Sequence, residues 1–306
     1  MKVLVVGFGS IAKKHIEVLR EIEPKVDVFA LRSSKHASKI PGVTNLFEWG
    51  GLEEHDFHFV LIASPSSLHL EHISKLTSLG KPIMVEKPML MDKGQISAFE
   101  KNMGKLDVPV YIACNFRFHP SIVFLKEYLA KEKSKINEVN AYCGSYLPNW
   151  RPGVDYREVY SSRADMGGGV HIDLIHEPDY LIYLFGMPVS SQINNRKVST
   201  LEITSCDSSN ILFQYEGFQA QIILNYYRRD PKRTLEIVRE KDTIFVDLIA
   251  SKVYDTNSNE LLFEEPNPTV FTSYKQQLLY FLNCIDKGIE PMNSPSEAIE
   301  ILKHVL

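Results

Sequence analysis

The chain has 306 residues, of which 44% are hydrophobic and 24% are charged, and its formal net charge is −4. This length suits about two domains of ordinary size, and the composition is typical of globular proteins. The slightly acidic balance argues against a nucleic-acid partner, because such proteins are usually basic. No apolar run approaches the roughly 20 residues that cross a bilayer, which argues against a membrane partner.

The N-terminus and the cysteines indicate a cytoplasmic protein. Met1 and Lys2 lead straight into an apolar strand, without the pattern of a signal peptide. Four cysteines are scattered along the chain with no CxxC pair and no metal-type spacing. We therefore expect reduced thiols and no metal site.

In the first third, apolar runs of strand length alternate with helical segments. The predicted strands are Val3–Val6, Val26–Leu31, Phe59–Ala63, Pro82–Val85 and Val108–Ala113, and the predicted helices are Ile11–Ile22, Leu68–Leu79 and Lys93–Met103. Continuous apolar strands that alternate with helices predict a doubly wound parallel sheet of the Rossmann type.

After about residue 120 the pattern changes to strands with alternating polar and apolar residues. These segments are Glu138–Tyr146, Gln192–Lys197, Asn210–Tyr215, Gln219–Tyr227, Thr234–Arg239 and Thr243–Leu248, with helices near Val170–Phe185, Tyr274–Lys287 and Pro295–His304. Period-two alternation predicts a large, mostly antiparallel open sheet. The fold class is therefore α/β, with a Rossmann domain over residues 1–118 and a second α/β domain over residues 119–306.

The turn between the first strand and the first helix carries a dinucleotide signature, Gly7-Phe8-Gly9-Ser10-Ile11-Ala12. Gly7 permits a tight turn, Gly9 leaves room for the pyrophosphate, and the small Ala12 lets the helix pack on the strand. The helix N-terminus offers free N–H groups to the phosphates. The predicted contacts to the dinucleotide are Gly7, Gly9, Ser10, Ile11 and Ala12.

The end of the second strand favours NADP over NAD. An NAD-binding enzyme usually has Asp or Glu there to bind the ribose hydroxyls, whereas this chain has Leu31 followed by Arg32, Ser33, Ser34 and Lys35. The two cations would attract a 2′-phosphate, and the serines could donate hydrogen bonds to it. A polar loop with no ligand is the alternative reading.

Two further segments carry candidate catalytic groups. Lys87 follows a predicted strand at the carboxyl edge of the parallel sheet, where ligands bind in such folds, and could transfer a proton. After the glycine run 167–169, Asp173 and His176 lie three residues apart, on one face of a predicted helix. Histidine suits proton transfer near neutral pH. Taken alone, however, Lys87 reads as a surface lysine and the Asp–His pair as a structural hydrogen bond.

Five motifs in fitting order resemble the glucose–fructose oxidoreductase/inositol dehydrogenase (Gfo/Idh/MocA) family, and the resemblance covers essentially the whole chain. The motifs are the glycine loop, Ala63-Ser64-Pro65, Glu86-Lys87-Pro88, Asn115-Phe116-Arg117-Phe118-His119-Pro120 and the glycine-rich Asp/His segment. The resemblance implies oxidation or reduction of a hydroxyl-bearing carbon of a sugar, cyclitol or nucleotide-linked sugar with NADP, or with NAD as the alternative. It also implies a homodimer or homotetramer formed through the open C-terminal sheet.

The resemblance also implies roles for individual residues. Lys87 matches the catalytic lysine, Asp173 the acidic residue that holds the substrate, and His176 the catalytic histidine. The further cofactor contacts that it implies are Ser64, Pro65, His69 and Glu86, and the further substrate contacts are Asn115 and Arg117. We interpret His15, at another matching position, as a packing or capping residue.

Two departures from the family pattern affect the Asp/His segment. The family usually places the histidine four residues after the aspartate, whereas here the spacing is three and Glu177 takes the fourth place. Pro178 removes the N–H that would bond to the Leu174 carbonyl, so a kink is expected beside His176.

The loop from Trp150 to Arg157 is rich in hydrogen-bonding groups around an aromatic residue. It is either a substrate loop, with Trp150 as a contact, or a loop packed on the domain edge. Two other functions also fit the sequence. One is redox-neutral epimerisation or glycoside cleavage on a tightly bound cofactor, and the other is a non-catalytic NADP sensor.

Overall fold

The computed structural model describes residues 1–35, 40–102 and 106–306, which form two compact units. The N-terminal unit comprises Met1–Asn115 and Ser273–Ile299, and the C-terminal unit comprises Phe116–Thr272 and Glu300–Leu306. The sequence-based division, between residues 118 and 119, assigned all later residues to the second domain. In the structure, Ser273–Ile299 belongs to the N-terminal unit.

The N-terminal unit contains a parallel sheet with strand order β3-β2-β1-β4-β5-β6. Its strands are β1 Lys2–Val6, β2 Asp27–Leu31, β3 Val43–Leu46, β4 Phe59–Ile62, β5 Ile83–Glu86 and β6 Val110–Ala113, and its first helices are α1 Ser10–Ile22, α2 His69–Leu76 and α3 Lys93–Asn102. Strands β4, β5 and β6 are buried along their whole length, as expected for a sheet covered on both faces. The predicted parallel Rossmann sheet is confirmed. The short β3 was not predicted, and the last predicted residue of the third helix, Met103, lies outside the described residues.

The C-terminal unit contains an eight-stranded sheet with order β14-β13-β12-β11-β7-β10-β9-β8. Its strands are β7 Ile136–Gly144, β8 Ser190–Arg196, β9 Ser208–Gln214, β10 Gln219–Asn225, β11 Lys232–Arg239, β12 Thr243–Asp247, β13 Lys252–Asp255 and β14 Glu260–Glu264. The helices that follow α3 are α4 Pro120–Lys131, α5 Val170–Asp173, α6 His176–Phe185, α7 Val270–Lys287 and α8 Pro295–Lys303. All strand pairs are antiparallel except β7 with β10, so the predicted mostly antiparallel sheet is confirmed.

Helix α7 explains why a late segment belongs to the N-terminal unit. The Phe281 ring packs edge-on against Phe59 of β4 at 5.4 Å and stacks on Tyr111 of β6 at 5.6 Å. Burial of these rings removes a large apolar area from water, which favours docking of the helix on the parallel sheet.

The predicted helix over residues 170–185 is interrupted, which corrects the sequence-based prediction. Helix α5 ends at Asp173, Leu174 leaves helical geometry with φ −98° and ψ 35°, and α6 begins at His176. Pro178 then lies in the first turn of α6, where a missing N–H is tolerated. Asp173 and His176 therefore belong to different helices, and the same-face argument that assumed one continuous helix does not apply.

Across the described ranges, no helix is both long enough and apolar enough to span a membrane.

Candidate active site

The glycine loop after β1 has the geometry that a dinucleotide requires. Gly7 adopts φ +84°, and a Cβ there would lie 2.6 Å from the Ser64 Cα, so only glycine fits between the ends of β1 and β4. A Cβ on Gly9 would meet nothing within 4 Å, which leaves open space beside the backbone. Gly9 caps α1 without a side-chain hydrogen bond, and the first turn contains no acidic residue. The free N–H groups of this 13-residue helix therefore fit a pyrophosphate.

Arg32 lies directly after β2, next to the glycine loop. Its guanidinium stands over the Phe8 ring at 4.7 Å and donates to the Asn45 Oδ1 at 3.3 Å. Within the described ranges no carboxylate forms an ion pair with it, so the charge is not neutralised by the chain. The Lys35 Nζ, by contrast, lies 3.4 Å from the Glu48 carboxylate, and both side chains are exposed. Of the two predicted cations, Arg32 is the better placed for a 2′-phosphate.

The two serines that follow Arg32 are exposed on the same loop. Ser33 and Ser34 therefore stay predicted cofactor contacts, and their hydroxyls are accessible to a phosphate.

His69 is fully buried between the loops that follow β4 and β5. Its Nδ1 lies 2.9 Å from the Pro88 carbonyl oxygen and its Nε2 lies 3.0 Å from the Ser64 carbonyl oxygen. Burial lowers the pKa of His69, so the imidazole is neutral near pH 7. Both ring nitrogens thus face protein backbone, so His69 links these two loops, and its contact with the cofactor stays a prediction.

Ser64 is held by a second histidine of α2. Its Oγ lies 2.8 Å from the Nδ1 of His72, and Pro65 begins the short turn that leads into that helix. The predicted pair Ser64 and Pro65 therefore sits at the end of β4, beside Gly7.

Glu86 and His15 form a buried pair that joins α1 to the end of β5. The Nε2 of His15 lies 2.5 Å from one Glu86 carboxylate oxygen, and the other oxygen accepts a hydrogen bond from the backbone N–H of Lys87 at 3.2 Å. This pair fixes the backbone at Lys87, whose side chain is half-buried and whose peptide bond to Pro88 is cis. Glu86 thus holds in place the loop that carries Lys87. His15, which we predicted to be a packing or capping residue, is bonded to this buried carboxylate.

Asn115 and Arg117 were both predicted to contact the substrate, and both side chains are buried. The Nδ2 of Asn115 donates to the Ser273 Oγ at 2.8 Å. Arg117 is only 1% exposed and donates three hydrogen bonds of 2.8–3.1 Å to Asp179. The Nε and Nη2 groups of Arg117 are thus bound to Asp179 inside the C-terminal unit, and the contact of Arg117 with substrate stays a prediction.

Asp173 sits in a cluster that the sequence did not reveal. The Tyr226 hydroxyl donates to the Asp173 Oδ2 at 2.5 Å, and burial together with the nearby Asp173 carboxylate raises the pKa of Tyr160 well above its ordinary value. The Trp150 ring packs perpendicular to Tyr226 at 5.3 Å, and its Nε1 donates to the Ser145 Oγ at 2.8 Å. The predicted substrate loop therefore reaches the Asp173 cluster through Trp150.

His176 begins α6 and is 8% exposed. Its ring lies against Phe116 at 4.8 Å, and the Arg233 guanidinium covers Phe116 at 3.7 Å. Arg233 also donates to both carboxylate oxygens of Glu177, at 2.6 and 3.0 Å. Glu177, which departs from the family spacing, is thus fully buried and bound by the partly exposed Arg233.

Sequence reasoning missed Tyr160, Tyr226, Arg233 and His72. None belongs to a local motif: His72 contacts Ser64 eight residues earlier, and the other three are defined by contacts to residues further away in the chain. Of these four, only Tyr226 has a feature in the sequence that could have marked it. It directly follows strand β10, in which polar and apolar residues alternate. Among the described residues, no group of three or more His, Cys, Asp and Glu side chains is arranged to hold a metal ion.

Comparison with known proteins identifies the N-terminal region. Residues 1–113 match the model of the oxidoreductase family with an NAD-binding Rossmann fold. This match confirms, for residues 1–113, the resemblance to the Gfo/Idh/MocA family that was inferred from the motifs.

The curated proteins that this chain resembles include two named dehydrogenases. The chain is 28% identical over 99 residues to levoglucosan dehydrogenase of Pseudarthrobacter phenanthrenivorans, a match of 32% of this chain and 25% of that protein. It is 23% identical to myo-inositol 2-dehydrogenase of Thermotoga maritima, over 95% of this chain and 90% of that protein. The first match thus spans only a quarter of its relative, and the second spans nearly the whole.

The fold extends over the complete chain. A structure described as levoglucosan dehydrogenase in complex with NADH superposes with a TM-score of 0.84 at 16% identity, covering 98% of this chain and 94% of that one. This likeness establishes that the two proteins share a fold.

Proposed function

We propose that this protein is an NADP-dependent oxidoreductase that transfers a hydride between the nicotinamide and a hydroxyl-bearing carbon of a sugar, cyclitol or nucleotide-linked sugar. The observation that carries the proposal is the pairing of the glycine loop with Arg32. The loop fits a pyrophosphate, and Arg32 replaces the ribose-binding carboxylate of NAD enzymes with an uncompensated cation. Relatives that act on levoglucosan and myo-inositol support a polyhydroxylated substrate.

The proposed binding groups for the dinucleotide lie in the N-terminal unit. Backbone N–H groups from Gly9 to Ala12 would hold the pyrophosphate, and Arg32 with Ser33 and Ser34 would hold the 2′-phosphate. NADP, when bound, supplies the hydride acceptor or donor. The protein then has to orient the substrate and move one proton.

Lys87, Asp173 and His176 are the proposed catalytic residues. Lys87 or His176 takes the proton from the substrate hydroxyl during oxidation and returns it during reduction. Asp173 accepts a hydrogen bond from a substrate hydroxyl and fixes its orientation. The Glu86–His15 pair supports this assignment for Lys87, because it fixes the lysine backbone.

A homodimer or homotetramer formed through the C-terminal sheet completes the proposal. On β10 one face is buried through Ala220, Ile222 and Leu224, whereas Gln221 on the other face is exposed and Ile223 is partly exposed. Light scattering after gel filtration should give a multiple of 35.0 kDa for the wild type. An Ile223→Arg variant should shift that mass toward the monomer, whereas a monomeric wild type would overturn this part.

The activity test is a panel of sugars, cyclitols and sugar nucleotides with NADP and NAD, followed by the absorbance of the reduced nicotinamide. We expect turnover with NADP for at least one polyol and its loss in Lys87→Met. A cofactor that co-purifies and changes substrate without net reduction would replace the proposal with a redox-neutral reaction. Tight NADPH binding without any substrate conversion would replace it with a sensor.

A further inference from the structure

Two tyrosines lie beside the carboxylate of Asp173. Tyr226 is fully buried and donates to Oδ2 at 2.5 Å, and the hydroxyl of the half-buried Tyr160 is close enough to the same carboxylate for the charge to raise its pKa. Three residues distant in sequence thus form one cluster, which we call the Tyr160–Asp173–Tyr226 cluster. No local sequence motif indicates that these three residues form a cluster.

The backbone around the cluster is built to bring these groups together. A Cβ on Gly168 would lie 2.1 Å from the Tyr160 carbonyl oxygen, so only glycine lets the segment before α5 pack against the Tyr160 segment. On the other side, the backbone N–H of Tyr226 donates to the Asp207 carbonyl at 2.9 Å. The Tyr226 carbonyl accepts from the N–H of Leu147 at 2.8 Å. The backbone of Tyr226 is thus fixed by two hydrogen bonds, and the backbone of Tyr160 is fixed by close packing against Gly168.

Both phenols act as hydrogen-bond donors at neutral pH. Burial and the proximity of the Asp173 carboxylate raise the pKa of Tyr160 and of Tyr226 well above the ordinary value. A protonated phenol has one hydrogen to donate, and that of Tyr226 is directed at the Asp173 Oδ2. The carboxylate is therefore an oriented acceptor, held by Tyr226 and lying close to the protonated Tyr160.

We infer that Tyr160 and Tyr226 are positioning residues, which fix Asp173 as a hydrogen-bond acceptor for a substrate hydroxyl and leave proton transfer to Lys87 or His176. The inference rests on the proposed function. It deepens that function by giving Asp173 the task of orientation alone. A carboxylate held by the Tyr226 hydroxyl and packed beside the Tyr160 hydroxyl keeps one geometry in the free protein, so less ordering is needed when a substrate binds.

The test uses Tyr160→Phe and Tyr226→Phe, which remove one oxygen each and keep the rings. Tyr215→Phe is the matched control, because the buried Tyr215 hydroxyl has no hydrogen-bond partner in the described part of the chain. We expect each of the two cluster variants to lower kcat about 10- to 100-fold through misorientation. The control should retain wild-type kcat, and all three should bind NADPH like the wild type in a fluorescence titration.

A double-mutant cycle with Asp173→Asn distinguishes positioning from a general loss of structure. If the tyrosines act through Asp173, Tyr226→Phe in the Asp173→Asn background should lower kcat by less than about twofold more, because residues that act as a unit are not additive. Losses that multiply, or a Tyr226→Phe enzyme with the kcat of Tyr215→Phe, would overturn the inference. Thermal unfolding of every variant identifies effects that come only from instability.

The two proposals fail in different ways. A wild type that turns over a polyol with NADP while its cluster variants remain fully active removes this inference alone. A wild type without turnover on the whole panel removes the proposed function and this inference together.

Discussion

The two units of the molecule hold their functional groups by different physical means. In the N-terminal unit the site is made largely of backbone, and Gly7 shapes it because no side chain fits beside Ser64. In the C-terminal unit the candidate site is made of side chains, and buried polar partners hold them, as Tyr226 holds Asp173. A backbone site leaves a local motif in the sequence, whereas a side-chain site depends on residues that only the fold brings together.

The largest effect on kcat is expected at Lys87, the proposed catalytic residue of the N-terminal unit. Lys87→Met should lower kcat about 10²- to 10⁴-fold, the usual contribution of a general acid or base. NADPH affinity, measured by fluorescence, should change by less than about tenfold, because the glycine loop supplies most of the phosphate contacts.

Lys81→Met is the control for Lys87→Met, because Lys81 belongs to the same unit and pairs only with the exposed Asp56. The control should keep wild-type kcat. Near-normal turnover in Lys87→Met would remove this lysine from the mechanism.

The same difference between the two units explains which features could be predicted from the sequence. The parallel sheet, the antiparallel sheet and the glycine loop were all predictable, because each rests on local periodicity or on a local turn. The role of Arg117 was not, because its partner Asp179 is 62 residues away and nothing local marks the pair. The break between Asp173 and His176 was predicted only in part. Pro178 indicated a kink, but the sequence did not show where α5 ends.

The second prediction tests whether Arg117 belongs to the interior of the C-terminal unit. Arg117→Met leaves the Asp179 carboxylate buried without its partner, so the free energy of unfolding in urea should fall by about 3–5 kcal/mol. The KM for the substrate should stay within about twofold of the wild-type value. Replacing both partners, as in Arg117→Met with Asp179→Leu, should recover part of the loss.

If Arg117→Met leaves the stability unchanged and raises the KM tenfold or more, the result would contradict a purely structural role. It would support the substrate-binding role that was predicted for Arg117.

The third prediction separates two glycines of the backbone site. Gly7→Ala forces a side chain into the +84° backbone and against Ser64, so the free energy of unfolding should fall by about 1–3 kcal/mol. Gly9→Ala meets no protein atom and has an extended backbone, so stability should stay within about 0.5 kcal/mol. Its NADPH affinity should nevertheless drop, because the added methyl group occupies the space for the pyrophosphate.

Gly9→Ala therefore serves as the stability control for Gly7→Ala. Unaltered NADPH binding in Gly9→Ala would show that the pyrophosphate does not lie over this residue.

The smallest effect concerns pH and the C-terminal unit. Burial lowers the pKa of His119 to about 4, so the folded protein keeps this ring neutral after the unfolded chain has taken up a proton. The free energy of unfolding should therefore decrease as the pH falls from about 6.5 to about 4. Urea titrations at several pH values should show a shallower decrease for His119→Asn, and identical slopes would contradict the assignment.

The most direct measurement of the central claim is a fluorescence titration of the wild type with NADPH and with NADH. We expect NADPH to bind at least about tenfold more tightly, because a charge-assisted hydrogen bond contributes about 1.5–3 kcal/mol. Arg32→Ala should remove most of this preference, whereas Arg163→Ala, which lies in the C-terminal unit and pairs with Asp165, should leave it intact. Tighter binding of NADH by the wild type, or a preference that survives Arg32→Ala, would contradict the account.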